Sequence, residues 1–111
     1  MAHFPERINR LPSFVGPFRA RLLEAVGCQV LFASYPADQR IPAHHHDTEN
    51  VGVVTQGEMC LTVQGVERCY RVGQWYHVPA GAPHAARFGA PTSIVEFWFE
   101  SGDKATRRQA D

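Results

Sequence analysis

No stretch of the 111-residue chain approaches the ~18 consecutive apolar residues that a bilayer-spanning helix requires. Nor is there an excess of charge of either sign. Eleven Lys and Arg balance eleven Asp and Glu, so no electrostatic footprint favours nucleic acid or an anionic membrane. Cysteine is scarce: Cys28, Cys60 and Cys69 are an odd number with no CxxC spacing. That pattern argues against a disulfide framework or a cysteine zinc knuckle, and reduced thiols are the expectation. The opening residues Met1-Ala2-His3-Phe4-Pro5 hold no apolar run of signal-peptide length, which predicts a cytoplasmic protein. The length admits one hydrophobic core and one substrate-sized pocket and excludes a multi-domain enzyme.

Long helical periodicity is the other absence. Eight prolines and nine glycines punctuate the chain, leaving short segments rich in Val, Phe, Tyr, Thr and Ile, the spacing of an all-β sandwich or barrel. Residues 28–35, 51–56, 58–63, 66–72, 75–78 and 92–99 read as strands. Residues 18–24 pair with 28–35 through the Ala25-Val26-Gly27 turn, or form a short helix over 18–26, since Leu, Arg, Glu and Ala favour one. Gln64-Gly65 reads as a two-residue hairpin loop, and its register pairs Val63 with Val66, Leu61 with Arg68 and Cys60 with Cys69. Met59, Leu61 and Val63 then share one face and Cys60, Thr62 and Cys69 the other, at a pair position where side chains come closest. Two adjacent reduced thiols are expected there, with a cross-strand disulfide as the alternative.

Against this ordinary background stand six histidines, three of them consecutive. Residues 41–46 read as extended chain, so His44 and His46 point to one side and His45 away. Two imidazoles on one face can each place a nitrogen ~2.1 Å from a shared metal. The best third donor is His84, which follows a Pro79-Ala80-Gly81 turn at the start of the next strand. A His-His-His run alone is a weak signal, and the second segment strengthens it. His45 and His77 read as surface or half-buried residues without a ligand role, and His3 lies on a loose end.

Two segments in tandem resemble the paired motifs of the cupin superfamily, in its small single-domain (cupin-2 type) members. Asp38, His44, His46, Asn50 and Gly57 follow the first motif, Gly-x5-His-x-His-x3-4-Glu-x6-Gly, with Asp for the leading Gly and Asn50 for the Glu. Gly73, Pro79, Gly81, His84 and Phe88 follow the second, Gly-x5-Pro-x-Gly-x2-His-x3-Asn, with Phe88 for the final Asn. The similarity spans roughly residues 28–99, with 15 residues (58–72) between the motifs. It implies a double-stranded β-helix, or jelly-roll, barrel over residues 28–100, preceded by an N-terminal arm and first strand (1–27) and followed by a flexible tail (101–111). It also implies a divalent metal (Fe, Mn, Ni or Zn) held by His44, His46 and His84, with Asn50 in the place of the family's glutamate. An amide oxygen is a neutral, weak donor, so the site loses a negative charge. Glu49, next to it, faces away in a regular strand and serves only if a bulge re-aims it.

If even-numbered positions face inward from His44 to Val54, the pocket is lined by Asn50, Gly52 and Val54, with Ala86 and Phe88 following His84. Such walls suit a small, mostly apolar ligand with one chelating end, or they simply fill the core. Val51 and Val53 then face outward, with Ile94 and Trp98, and strands apolar on both sides need covering on both. A homodimer through the outer sheet face is expected. The reading is a metal-dependent, dioxygenase-like enzyme with a three-His site, the alternative a non-catalytic small-molecule binding or sensing module. Tyr76, Arg87 and Glu96 are candidate acids or bases by residue type alone.

Overall fold

The computed structural model describes residues 4–16 and 18–100. After a 3-10 turn at Ile8–Arg10 come nine strands among the described residues: β1 (Arg19–Ala25), β2 (Cys28–Tyr35), β3 (Arg40–His44), β4 (Glu49–Gln56), β5 (Glu58–Val63), β6 (Val66–Arg71), β7 (Trp75–Val78), β8 (His84–Arg87) and β9 (Thr92–Phe99). Segment 18–26 is therefore the strand, antiparallel to β2, and not the helix. One sheet has the order β1-β2-β9-β4-β7 and the other β3-β8-β5-β6. From β2 onward the chain changes sheet at nearly every connection, β5–β6 being the exception. This is the antiparallel jelly-roll barrel, with β1 pairing into it as an edge strand.

Alternation positions the core. Along β2 Leu31, Ala33 and Tyr35 are buried, and along β4 Asn50, Gly52 and Val54, as period-2 burial demands. Tyr35 stacks on Phe88 with centroids 4.3 Å apart, and Phe88, Ile94, Val54 and Thr92 have the largest fully buried side chains. The β5–β6 hairpin has the expected register, Val63↔Val66, Leu61↔Arg68 and Cys60↔Cys69. Its turn residues Gln64 and Gly65 both have positive φ, 50° and 83°, which a tight hairpin turn requires.

Two expectations are corrected. Ile94 and Trp98 face inward: Ile94 is 1% exposed, and β9 sets Ile94 opposite Val54 and Trp98 opposite Asn50. The outward residues of β9 are Ser93, Val95, Phe97 and Phe99. The segment Thr92–Phe99 is apolar at both parities, so alternation alone does not orient it, and its single charge, Glu96, is buried. Second, Cys60 and Cys69 form a disulfide, with Cα atoms 3.9 Å apart, where paired thiols were expected. The register that faces the two side chains toward each other supplies the geometry. The segment 101–111 and His3 lie outside the described residues.

Candidate metal centre

His44, His46 and His84 meet at one end of the barrel. Their ring centroids are 4.6 Å apart for His44–His46, 4.2 Å for His44–His84 and 5.4 Å for His46–His84, and one nitrogen from each lies within 4.8 Å of the others. That is within side-chain rotation of the ~3 Å spacing set by bonds of ~2.1 Å to one ion.

Local sequence explains the convergence. On regular alternation Ile41 and His44 would lie on opposite faces. The β3–β8 register instead shifts by one residue between Ile41, opposite Ala86, and His44, opposite His84. The shift falls at Pro42-Ala43, and proline, lacking an N–H for the ladder, is a natural place for a bulge. Both Ile41 and His44 consequently face the interior. On the other side, Ala82 N–H donates to the Pro79 carbonyl at 3.1 Å and Gly81 N–H to the His46 carbonyl at 2.7 Å, tying the two histidine-bearing segments together. Gly81 has φ +79°, a conformation glycine adopts without steric cost.

The donor chemistry fits a cation. His44 Nδ1 lies 2.8 Å from the Pro42 carbonyl and His84 Nδ1 3.0 Å from the Ala82 carbonyl. A carbonyl only accepts, so each Nδ1 carries the proton and each Nε2 is left with its lone pair, the tautomer a metal needs. Burial first, then the neighbouring imidazoles, hold His46 below the ordinary histidine value. Burial also lowers His84, partly offset by its bond to Ala82. The indole of Trp98 stands edge-on to His46, centroids 4.9 Å apart.

Asn50 is buried opposite Trp98. Its amide N–H donates to the Phe97 carbonyl at 3.2 Å, and a hydrogen bond with the Tyr76 hydroxyl partly offsets the effect of burial, which raises that phenol. Glu49 faces outward and pairs with His77, so no bulge turns it toward the histidines and His77 has a partner on the outer surface. His45 is exposed. Of the expected pocket residues, Val54 and Phe88 are sealed into the core, Ala86 packs against it, and the space at Gly52 is taken by Tyr76: a Cβ there would lie 2.4 Å from the ring. The three residues singled out by type separate cleanly. Arg87 makes a two-point pair with Glu67 on the outer face, while Tyr76 and Glu96 lie inside.

Glu96 is the feature sequence reasoning undervalued. Its carboxylate accepts hydrogen bonds from the Tyr35 hydroxyl and, at 3.0 Å, from Trp98 Nε1–H. Burial raises its pKa to about 7 against the pull of both donors, and burial together with the Glu96 charge pushes Tyr35 well up. A charged residue within an otherwise apolar strand was the available signal.

A jelly-roll barrel carrying three imidazoles at one end defines a β-barrel protein with a candidate divalent-cation site. The chain belongs to the cupin domain family, whose profile matches residues 31–98. Among solved structures it is similar to an RmlC-like cupin from Shewanella frigidimarina, at 17% identity and TM-score 0.75 over 93% of this chain and 95% of that one. A cupin 2 conserved barrel domain protein from Salinispora arenicola is similar at 15% identity and TM-score 0.76, over 99% and 97%. The DMSP lyase DddQ from Ruegeria pomeroyi shares 22% identity and TM-score 0.69, over 83% of this chain and 54% of that one. No curated protein matches the chain.

Proposed function

We propose that the protein is a metal-dependent enzyme in which His44, His46 and His84 hold one divalent ion and a small, largely apolar substrate chelates it from the open side. The observation that carries this reading is the pair of backbone carbonyls, Pro42 and Ala82, that fix His44 and His84 as Nδ1–H tautomers. When bound, the ion supplies Lewis acidity and open coordination positions, which for iron means dioxygenase-like chemistry. The protein's own part is orientation and proton handling. Asn50, whose N–H groups serve Phe97 and Tyr76, offers Oδ1 as a fourth, neutral donor. Trp98 walls the site and connects it to Glu96. Glu96, with a pKa of about 7, exchanges a proton near neutrality, the range in which a general acid or base is most effective. That a structural neighbour is a DMSP lyase agrees with catalysis on this fold.

A second reading, a non-catalytic ligand-binding cupin, is favoured by the sealed interior, where Phe88, Ile94 and Val54 fill the space beneath the histidines. Metal analysis of protein purified without chelator tests both. About one Fe or Mn per chain, with oxygen uptake on adding the chelating probe acetylacetone, is the result expected of the enzyme. Bound metal with probe binding but no turnover supports the binding module. A chain that takes up none of Fe(II), Mn(II), Ni(II) or Zn(II) overturns both.

We further propose a homodimer through the outer face of the five-stranded sheet, where Val51, Val53, Val95 and Phe97 lie half-buried around exposed Trp75, Leu23 and Phe99. Light scattering should give twice the chain mass, and Trp75→Glu a monomer. A monomeric wild type rejects it.

A further inference from the structure

The outer face of the same sheet ends in a different kind of row. Successive registers place Arg19 opposite Ser34, Ser34 opposite Ser93 and Ser93 opposite Gln56, so four polar side chains cross β1, β2, β9 and β4 in a line. The next row holds Arg21 and Phe32. Over these rows lies the N-terminal segment: Phe4 meets Phe32 edge-on at 5.6 Å, Asn9 donates to the Phe4 carbonyl at 3.2 Å, and Ser13 bridges to Arg21. Between the arm and the sheet end lies a half-open cavity of about 480 Å³, within the ~300–1,000 Å³ range of small-molecule sites. It lies on the far side of the sheet from the histidines.

The electrostatics of the lining are one-sided. Among the described residues, two guanidinium groups contribute to it and no carboxylate does. Arg21 donates to the Leu11 carbonyl at 3.3 Å and the Ser13 hydroxyl at 2.9 Å, neutral acceptors that orient the guanidinium without cancelling its charge. The salt bridges among the described residues use Arg10, Arg71, Arg87 and His77, so neither Arg19 nor Arg21 has a carboxylate partner there. A guanidinium beside hydroxyl donors matches a carboxylate oxygen pair, and Phe4 and Phe32 offer an aromatic wall for a flat apolar body.

We propose that this cavity is a second ligand site, separate from the metal centre, that takes a small aromatic carboxylate, with the carboxylate on Arg19 and Ser34 and the ring against Phe4 and Phe32. Benzoate is the probe, with benzamide as its uncharged isostere and inorganic phosphate as an anion without a ring. Amide NMR shifts of the full chain should move saturably with benzoate at Arg19–Arg21, Ser34 and Ser93. Benzamide and phosphate should each bind at least about tenfold more weakly, the loss expected when one charge-assisted contact or the apolar contact is removed. Arg19→Gln should weaken benzoate at least about tenfold, and Ser34→Asp, which sets a competing carboxylate opposite Arg19, should abolish binding; both positions are exposed. His46→Ala should leave benzoate affinity unchanged. The proposal is overturned if benzoate fails to saturate by about 10 mM, if its shifts map to β3 and β8, or if Arg19→Gln binds it as tightly as the wild type.

Discussion

At one end of the barrel His44 and His46 stand half-exposed above a buried His84, with His44 and His84 oriented by backbone carbonyls and His46 set edge-on against Trp98. At the other, Tyr35, Phe88, Val54 and Ile94 are sealed, with Tyr35 and Phe88 stacked 4.3 Å apart. The two ends divide the work. The floor supplies the apolar burial that stabilises a small domain, and the mouth holds polar groups that contribute little to stability but share one point in space. Glu96 is the junction, bonded to Tyr35 on the floor side and to Trp98 on the mouth side.

The sharpest way to break that comparison is to remove one residue from each end. His46→Ala should reduce metal content from about one ion per chain to nearly none. Urea denaturation in chelator should show a change below about 1 kcal/mol, since a half-exposed side chain is lost. Phe88→Ala should do the converse, costing about 3–5 kcal/mol through the cavity it leaves, while the folded fraction still binds one ion. If His46→Ala destabilises the metal-free chain as much as Phe88→Ala does, the mouth is part of the core and the division fails.

Glu96 tests the junction. Its folded pKa of about 7 lies above the ordinary 4.5, so the folded state binds the proton more tightly than the unfolded one. The resulting stability is fully present below about pH 4.5 and is lost as pH rises through about 7. His46 and His84, held below their ordinary value, act in the opposite sense over part of that range. The informative quantity is therefore the difference between wild type and Glu96→Gln. From pH 4.5 to 8 the wild type should lose on the order of 3 kcal/mol relative to the variant. A difference independent of pH would mean that Glu96 titrates in the folded chain as it does in the unfolded one.

What could be read from the chain divides along similar lines. β2 and β4 alternate cleanly, and the Gln64-Gly65 turn sets one register, so the strands and the Cys60↔Cys69 pairing were legible. The histidines were legible because His44 and His46 are two apart, a relation that survives any upstream change of parity. The even-numbered positions from Asn50 to Val54 do face inward, but the bulge at Pro42-Ala43 was not legible, because it is a property of the β3–β8 pairing, and pairing is tertiary. β9 misled for a related reason: with apolar residues on both faces, alternation alone does not say which face turns inward, and Glu96 is held inside by a partner 61 residues away.

Asn50 gives the smallest expected effect and the finest test of where the mouth ends. It lies opposite Trp98, with its N–H donated to the Phe97 carbonyl, so its oxygen is the atom in question. In Asn50→Glu a carboxylate replaces that oxygen. Placed beside an ion it adds a charged donor of the kind divalent metals prefer, and competition with a metal-sensitive dye should show affinity tightened about tenfold or more, roughly 1.4 kcal/mol. Placed away from the ion, the new carboxylate is buried without a partner, which destabilises the fold and leaves metal affinity unchanged. Asn50→Asp, shorter by one methylene, serves as a distance control. If Glu tightens binding and Asp does not, the ion lies beyond the reach of the native amide, and the three histidines alone hold it.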